Sequence, residues 1–151
     1  IFNSIENKKN VILRNPNSNR PWQHVFEPIW AYILLSEKLY CGKFNGASFN
    51  VGPNLKNNEK VIHITEKIIK GMNSKIQINK KKSKFKETNK LNLNTQKINK
   101  KLGWSKILNN EMTFKLIIDW YKIYKLKNKN KIYEFSENQV DFFINSYFRK
   151  K

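Results

Sequence analysis

Apolar residues recur along this chain at two spacings, helical and alternating, and the breaks between them fall at Gly, Pro and Asn. The opening Ile1-Phe2-Asn3-Ser4-Ile5 already has helical spacing and no leading Met, as expected of a piece whose N-terminal part is missing. Asn10 to Leu13 is a short apolar run that predicts a strand, and the segment from Arg14 to Pro21, with two prolines among Asn and Ser, predicts a loop. Glu27-Pro28 opens a helix to about Tyr40 that is apolar nearly all round, so it is expected to be covered on most sides. Gly42 and Gly46 break the chain before a predicted strand, Ala47 to Val51. Val61, Ile64, Ile68 and Ile69 predict a helix over about 60–72, and Ile76 to Ile78 and Leu91 to Leu93 predict short strands. Asn94 reads as the cap of a short helix ending at Leu102, with Gly103 as its left-handed terminal residue. A strong helix spans Met112 to about Leu126, Asn128 to Asn130 break it, and Ser136 with Gln139 makes a capping box for a last helix over 137–148.

These elements are helices with a few short, separated strands, too few for a complete sheet. The pattern predicts the tail of an α/β protein whose main sheet lies upstream, an α+β arrangement as a piece, in one region covering 1–151 without repeat or linker.

With 39% hydrophobic and 13% aromatic residues, the chain has the composition of a folded protein. No apolar run is long enough to cross a bilayer, and no signal-peptide pattern opens the sequence. The single cysteine, Cys41, rules out an internal disulfide and a cysteine metal site and suits a reducing cytoplasm. Charge changes the picture more: 30 basic against 11 acidic residues give a net +19, a field that attracts polyanions. Yet nearly all the cations are lysines scattered among Asn and Ile, and only Arg14, Arg20 and Arg149 offer the planar fork that nucleic-acid readers favour. Lys80-Lys81-Lys82 with Lys84 and Lys86 is the one local cluster. The expectation is no nucleic-acid partner and no membrane.

Nothing matches a Gly-rich nucleotide loop, and no Ser/His/Asp or Cys/His order is credible. His24 and His63 fall in different segments, and His63 is expected at the surface. One cluster carries chemistry. Arg14, Asn15, Arg20, Trp22, Gln23 and His24 gather two of the three arginines around an Asn-rich loop, and guanidinium forks suit diphosphate oxygens. A phosphate-binding loop and a solvated surface turn with Trp22 in the core both account for it.

Arg14-Asn15-Pro16-Asn17-Ser18-Asn19-Arg20-Pro21-Trp22-Gln23-His24-Val25-Phe26-Glu27-Pro28 resembles the R-N-P-x-x-x-R-P-W-Q-H-V-x-E-P signature of CDP-glucose 4,6-dehydratases, members of the extended short-chain dehydrogenase/reductase superfamily. The resemblance continues through Phe49-Asn50-Val51-Gly52-Pro53, Glu87 to Asn94, Leu102-Gly103-Trp104 and Asp119-Trp120-Tyr121. Lys86 stands where the family usually has His, Asn94 where it has Asp, and Trp30-Ala31 where it has a Gly.

The resemblance implies that this chain is the C-terminal, substrate-binding part of such an enzyme. NAD would be held by an upstream Rossmann domain, which would also supply the catalytic Tyr-x-x-x-Lys pair. Tyr121 with Lys125 has that spacing but lies in another family segment and is rejected as catalytic. The complete cytoplasmic enzyme, a homodimer by the habit of the superfamily, would convert CDP-glucose to CDP-4-keto-6-deoxyglucose, a precursor of deoxysugars in surface polysaccharides such as O-antigen. The piece alone is expected to be inactive. By carry-over, Arg20 would contact the diphosphate, and Leu13 and Arg14 would border the cytosine or ribose. Asn15, Gln23 and His24 would shape the pocket, Glu87 would face the ligand, and Trp104 and Trp120 would pack. Two other readings stay open: an epimerase or dehydratase for a different nucleotide sugar, and a basic nucleic-acid-binding module.

Overall fold

The structure is a computed structural model and describes residues 1–53, 58–81, 88 and 91–150. Six helices and four short strands follow in the order α1 (Phe2–Glu6), β1 (Val11–Leu13), β2 (Asn19–Arg20), α2 (Phe26–Tyr40), β3 (Glu59–Lys60), α3 (Val61–Gly71), β4 (Ile78–Lys80), α4 (Gln96–Leu102), α5 (Asn110–Tyr124) and α6 (Lys129–Lys150).

Two apolar clusters organise the packing. Ile64, Ile68 and Met72 from α3 and its C-terminal end meet Phe114 and Ile118 of α5, with Ile5 of α1 closing one end. Gly71 permits this approach: a Cβ there would lie 2.6 Å from the Cδ1 of Ile118. The second cluster joins Ala31 of α2 to Ile98 and Leu102 of α4 and to Trp104, which is only 1% exposed. Helix α6 packs on α2 through Phe143 against Phe26 (ring centroids 5.5 Å apart) and Tyr147 against Trp30 (4.6 Å), and Trp30 borders the second cluster.

The strands form two separate pairs. β1 runs parallel to β4 with Val11 opposite Ile78, and β2 runs antiparallel to β3 with Arg20 opposite Glu59. The second pair was not foreseen; it takes two residues from the predicted loop and places Arg20 on a fixed backbone.

Several expected elements differ. Residues 47–51 are not a strand: burial still alternates along them, but no neighbouring backbone pairs with them among the described residues, and a strand needs a ladder partner. Residues 91–93 likewise have no ladder; the carbonyl of Leu91 accepts from the Asn58 side chain instead. The strand expected at 76–78 sits two residues later, at Ile78–Lys80. The last helix has no capping box at Ser136. It starts at Lys129, where the Asn128 side chain accepts from the Lys131 N–H, and it passes uninterrupted through Ser136 and Gln139. Ser136 Oγ instead accepts from the Trp120 indole and donates to the Ile132 carbonyl, and Gln139 donates to the Leu116 carbonyl, so both polar groups stitch α6 to α5 or to itself. Thr95 rather than Asn94 is the residue before α4, although Asn94 Oδ1 still accepts from the Gln96 N–H at 3.0 Å. Gly103 does end α4 in the left-handed region, at φ +66°. Finally, α2 is not covered on most sides: Val25 just before it and Ile29, Tyr32, Ile33, Leu39 and Tyr40 within it are exposed. No helix among the described residues is long and apolar enough to cross a membrane.

Candidate nucleotide-sugar site

The residues singled out in the sequence occupy one stretch that leaves β1, forms β2 and enters α2. Leu13 is buried at the end of β1, Arg14 is exposed beside it and Asn15 is half-buried. The chain turns through an Asn15 O to Ser18 N hydrogen bond and enters β2.

Arg20 carries the turn to a distant segment: its Nη1 donates to the Asn19 carbonyl and, at 3.0 Å, to the Thr88 carbonyl. The Leu91 N–H reaches back to the Asn19 carbonyl at 3.5 Å. Gln23 Nε2 donates to the Val51 carbonyl at 3.4 Å, Asn50 Nδ2 to the Asn94 carbonyl at 3.3 Å, and Asn58 Nδ2 to Leu91 O and Asn92 Oδ1. Three stretches far apart in sequence, 14–24, 47–53 and Thr88 with 91–94, therefore converge around Arg20 and Gln23. A Cβ on Gly52 would lie 2.8 Å from the Leu93 Cδ1, so the second and third stretches touch directly there. Glu87 and Lys86, which belong to the third stretch in sequence, lie outside the described residues.

Two buried polar atoms of this region, Asn15 Nδ2 and Gln23 Oε1, have no hydrogen-bond partner. An unpaired buried amide costs about 1–3 kcal/mol, so such atoms mark positions where a polar ligand would gain most. His24 is different. It is buried, its Nδ1 accepts from the Phe26 N–H, and burial lowers its pKa to about 4. Its ring is neutral at physiological pH and packs edge-on against Phe26, so it shapes the loop without adding charge.

The sequence reading missed the groups that hold this loop. Trp22 donates through its indole to the Glu59 carbonyl, and its own carbonyl accepts from Lys106 Nζ. Lys106 also donates to Asn110 Oδ1, Asn110 donates to Glu59 Oε1, and Lys67 pairs with Glu59 Oε2 at 2.7 Å. Burial alone would raise the Glu59 carboxyl, but hydrogen bonds from Lys67 and Asn110 and the charge of Lys67 bring it below its ordinary value. Burial lowers the Lys106 ammonium, with Glu27 and Glu59 opposing that shift. No local motif announces these residues, because the links that matter, Trp22 to Glu59, Lys106 to Trp22 and Asn110 to Glu59, join positions 37 to 84 apart.

No family model matches the chain. Over 128 residues, 81% of this chain, the sequence is 34% identical to the CDP-glucose 4,6-dehydratase of Salmonella typhimurium. Over that stretch the chain is similar to part of a nucleotide-sugar dehydratase. The match takes in 34% of that dehydratase, so the chain spans about a third of the length of the curated relative. Its fold is that of part of the UDP-glucose 4-epimerase of Thermotoga maritima, solved with UDP-glucose. The TM-score is 0.64 over 80% of this chain and 37% of that one, at 17% sequence identity. The resemblance read from the signature and the mixed, mostly helical fold class both hold.

The fold family implies a dinucleotide cofactor, and the residues described here do not fit one. A pyrophosphate cradle needs glycines where a strand turns into a helix N-terminus. Of the five glycines, Gly42, Gly46 and Gly52 lie between α2 and β3, Gly71 ends α3 and Gly103 ends α4. At the direct strand-to-helix junction, β3 into α3, stand Glu59 and Lys60, one an acid that would repel phosphate. No group of three His, Cys, Asp or Glu side chains is placed to hold a metal among the described residues.

Proposed function

We propose that this chain is the nucleotide-sugar-binding part of a CDP-glucose 4,6-dehydratase. What chiefly supports the reading is the Arg20 guanidinium, carried on β2 where the 14–24 and 47–53 stretches meet Thr88 and residues 91–94, in a chain 34% identical to such a dehydratase over 128 residues. Arg20 supplies a fork of donors for diphosphate oxygens, Asn15 and Gln23 offer unpaired amide atoms to the ligand, and Leu13 and Arg14 border the base or ribose. His24 fixes the entry into α2. CDP-glucose is the substrate and the complete enzyme is a dimer. NAD, held by other residues of the complete enzyme, would supply the hydride transfer chemistry. The part played by the residues described here is to bind and orient the nucleotide.

The complete enzyme is expected to convert CDP-glucose to a 4-keto product, and Arg20→Ala to raise KM at least tenfold with kcat changed much less. Equal turnover of dTDP-glucose or UDP-glucose would overturn the choice of base. Because the same fold occurs in an epimerase solved with UDP-glucose, product analysis after incubation with UDP-glucose separates the epimerase reading from this one.

A further inference from the structure

A second concave site borders the 47–53 stretch at Gly52 but includes neither Arg20 nor Gln23. It is a cavity of about 580 Å³ between α4, the segment 104–109 and the last turn of α6. Lys100, Lys106 and Lys150 line it together with Gln96, Ser105 and Asn109, and among the described residues no carboxylate side chain does. The Lys150 ammonium is held at the rim by the carbonyls of Lys106 (2.7 Å) and Ile107 (3.4 Å), an arrangement that positions the charge without neutralising it. Burial chiefly lowers the Lys106 ammonium, the charges of Glu27 and Glu59 oppose that shift, and the nearby Lys150 charge adds a smaller push in the same direction as burial. Glu27 lies under the same segment, but both its oxygens are engaged by the N–H groups of Ile107 and Leu108. The charges of Glu27 and Glu59 both favour the Lys106 ammonium and Glu27 also acts on Lys150, so three lysines face two carboxylates, and a concave, low-dielectric wall focuses the remaining positive field.

The volume is within the range of small-molecule sites and larger than one phosphate requires. Three lysines line it, with the hydroxyls of Thr95 and Ser105 and the amides of Gln96, Asn99 and Asn109, a set that suits an anion carrying several charges at once. We propose that this cavity is a binding site for a small diphosphate-class anion, held by Lys100 and Lys150, with Lys106 at its inner wall and Ser105 and Gln96 as neutral donors. The proposal stands apart from the nucleotide-sugar reading, which rests on Arg20.

The test is calorimetric titration of the full chain at ~150 mM salt, with inorganic pyrophosphate in one arm and CDP in the other. Saturable one-to-one binding of pyrophosphate is expected. The double variant Lys100→Gln/Lys150→Gln changes two exposed side chains and should weaken binding at least tenfold. Lys129→Gln/Lys131→Gln removes the same charge at the far end of α6, ~30 Å from Lys150 at 1.5 Å per residue, and should weaken it less than twofold. Arg20→Ala should leave pyrophosphate binding unchanged. Stronger binding of CDP to the same site would identify a nucleotide as the diphosphate source; weaker binding would identify the free anion. Absence of saturable binding, equal loss in the two double variants, or loss in Arg20→Ala alone would each overturn the proposal. The last result would put pyrophosphate in the Arg20 site and support that reading instead.

Discussion

Glu27 Oε1 accepts the Leu108 N–H at 2.8 Å across 81 positions of chain, and the Glu27 carboxylate also takes the Ile107 N–H while its carbonyl takes the Trp104 indole at 3.1 Å. Glu27 is 0% exposed, so one residue in the first turn of α2 ties down the whole segment between α4 and α5 with both main chain and side chain. Burial raises the carboxyl pKa, with the two backbone N–H groups and the charges of Lys106 and Lys150 opposing. Glu27→Ala strands two buried N–H groups and should cost about 2–5 kcal/mol in urea unfolding. Glu27→Gln keeps one acceptor oxygen and should lose roughly half as much; equal loss in the two variants would show that packing, not hydrogen bonding, holds the segment.

His24 gives the fold a dependence on acid. Its folded pKa of about 4 lies below its ordinary 6.5, so the unfolded chain binds its proton first. Its contribution is therefore complete above pH 6.5 and is lost as pH falls toward 4, at most about 3 kcal/mol by linkage. Glu27 has the opposite sign: its contribution is present at low pH and declines as pH rises through its elevated pKa. The urea midpoint should fall between pH 6.5 and 4 in the wild type and fall much less in His24→Gln.

Gly71 is required by close approach, not by backbone conformation. Ala would improve helix propensity by about 1 kcal/mol, yet its Cβ would overlap the Ile118 Cδ1 in the α3–α5 core, at about 1–3 kcal/mol. Gly71→Ala should lower the melting temperature. Adding Ile118→Val removes the offending methyl and should recover part of the loss; additive losses in the double variant would contradict the contact.

Lys106→Met keeps the aliphatic stem and removes the donor to the Trp22 carbonyl and to Asn110. Amide exchange at residues 20–24 should quicken by about tenfold, equivalent to about 1.4 kcal/mol, while the α3–α5 core stays protected. Lys106→Arg should restore part of the protection. No change at 20–24 would show that Glu59 alone holds the loop.

Much of this organisation is readable in the sequence, because the strong helices carry their own period and the signature loop carries its own chemistry. Gly103 announces the end of α4 through the left-handed conformation that glycine tolerates best. The failures have a common physical cause. Ser136 and Gln139 mimic a helix start, since the same hydroxyl and amide that cap a backbone can serve a neighbouring helix instead. Ala47 to Val51 has the alternation of a strand but lacks a partner, and alternation by itself makes no hydrogen bonds. Arg20 could be picked out by type, whereas its attachment to Thr88, and the Lys106–Asn110–Glu59 network behind Trp22, depend on segments brought together only by folding.

The bare outer side of α2 gives the molecule a colloidal character. Tyr40 is 95% exposed and Tyr32 64%, with Ile29 and Ile33 beside them on the same helix. Such a surface adheres to its own kind, and what keeps copies apart is mutual repulsion from a net charge of +19. Added salt shortens that repulsion, from a reach of ~10 Å at 0.1 M to ~3 Å at 1 M. Light scattering should therefore report association that grows with ionic strength, the reverse of a complex held by ion pairs, and Tyr32→Lys/Ile33→Glu, which leaves the net charge unchanged, should suppress it.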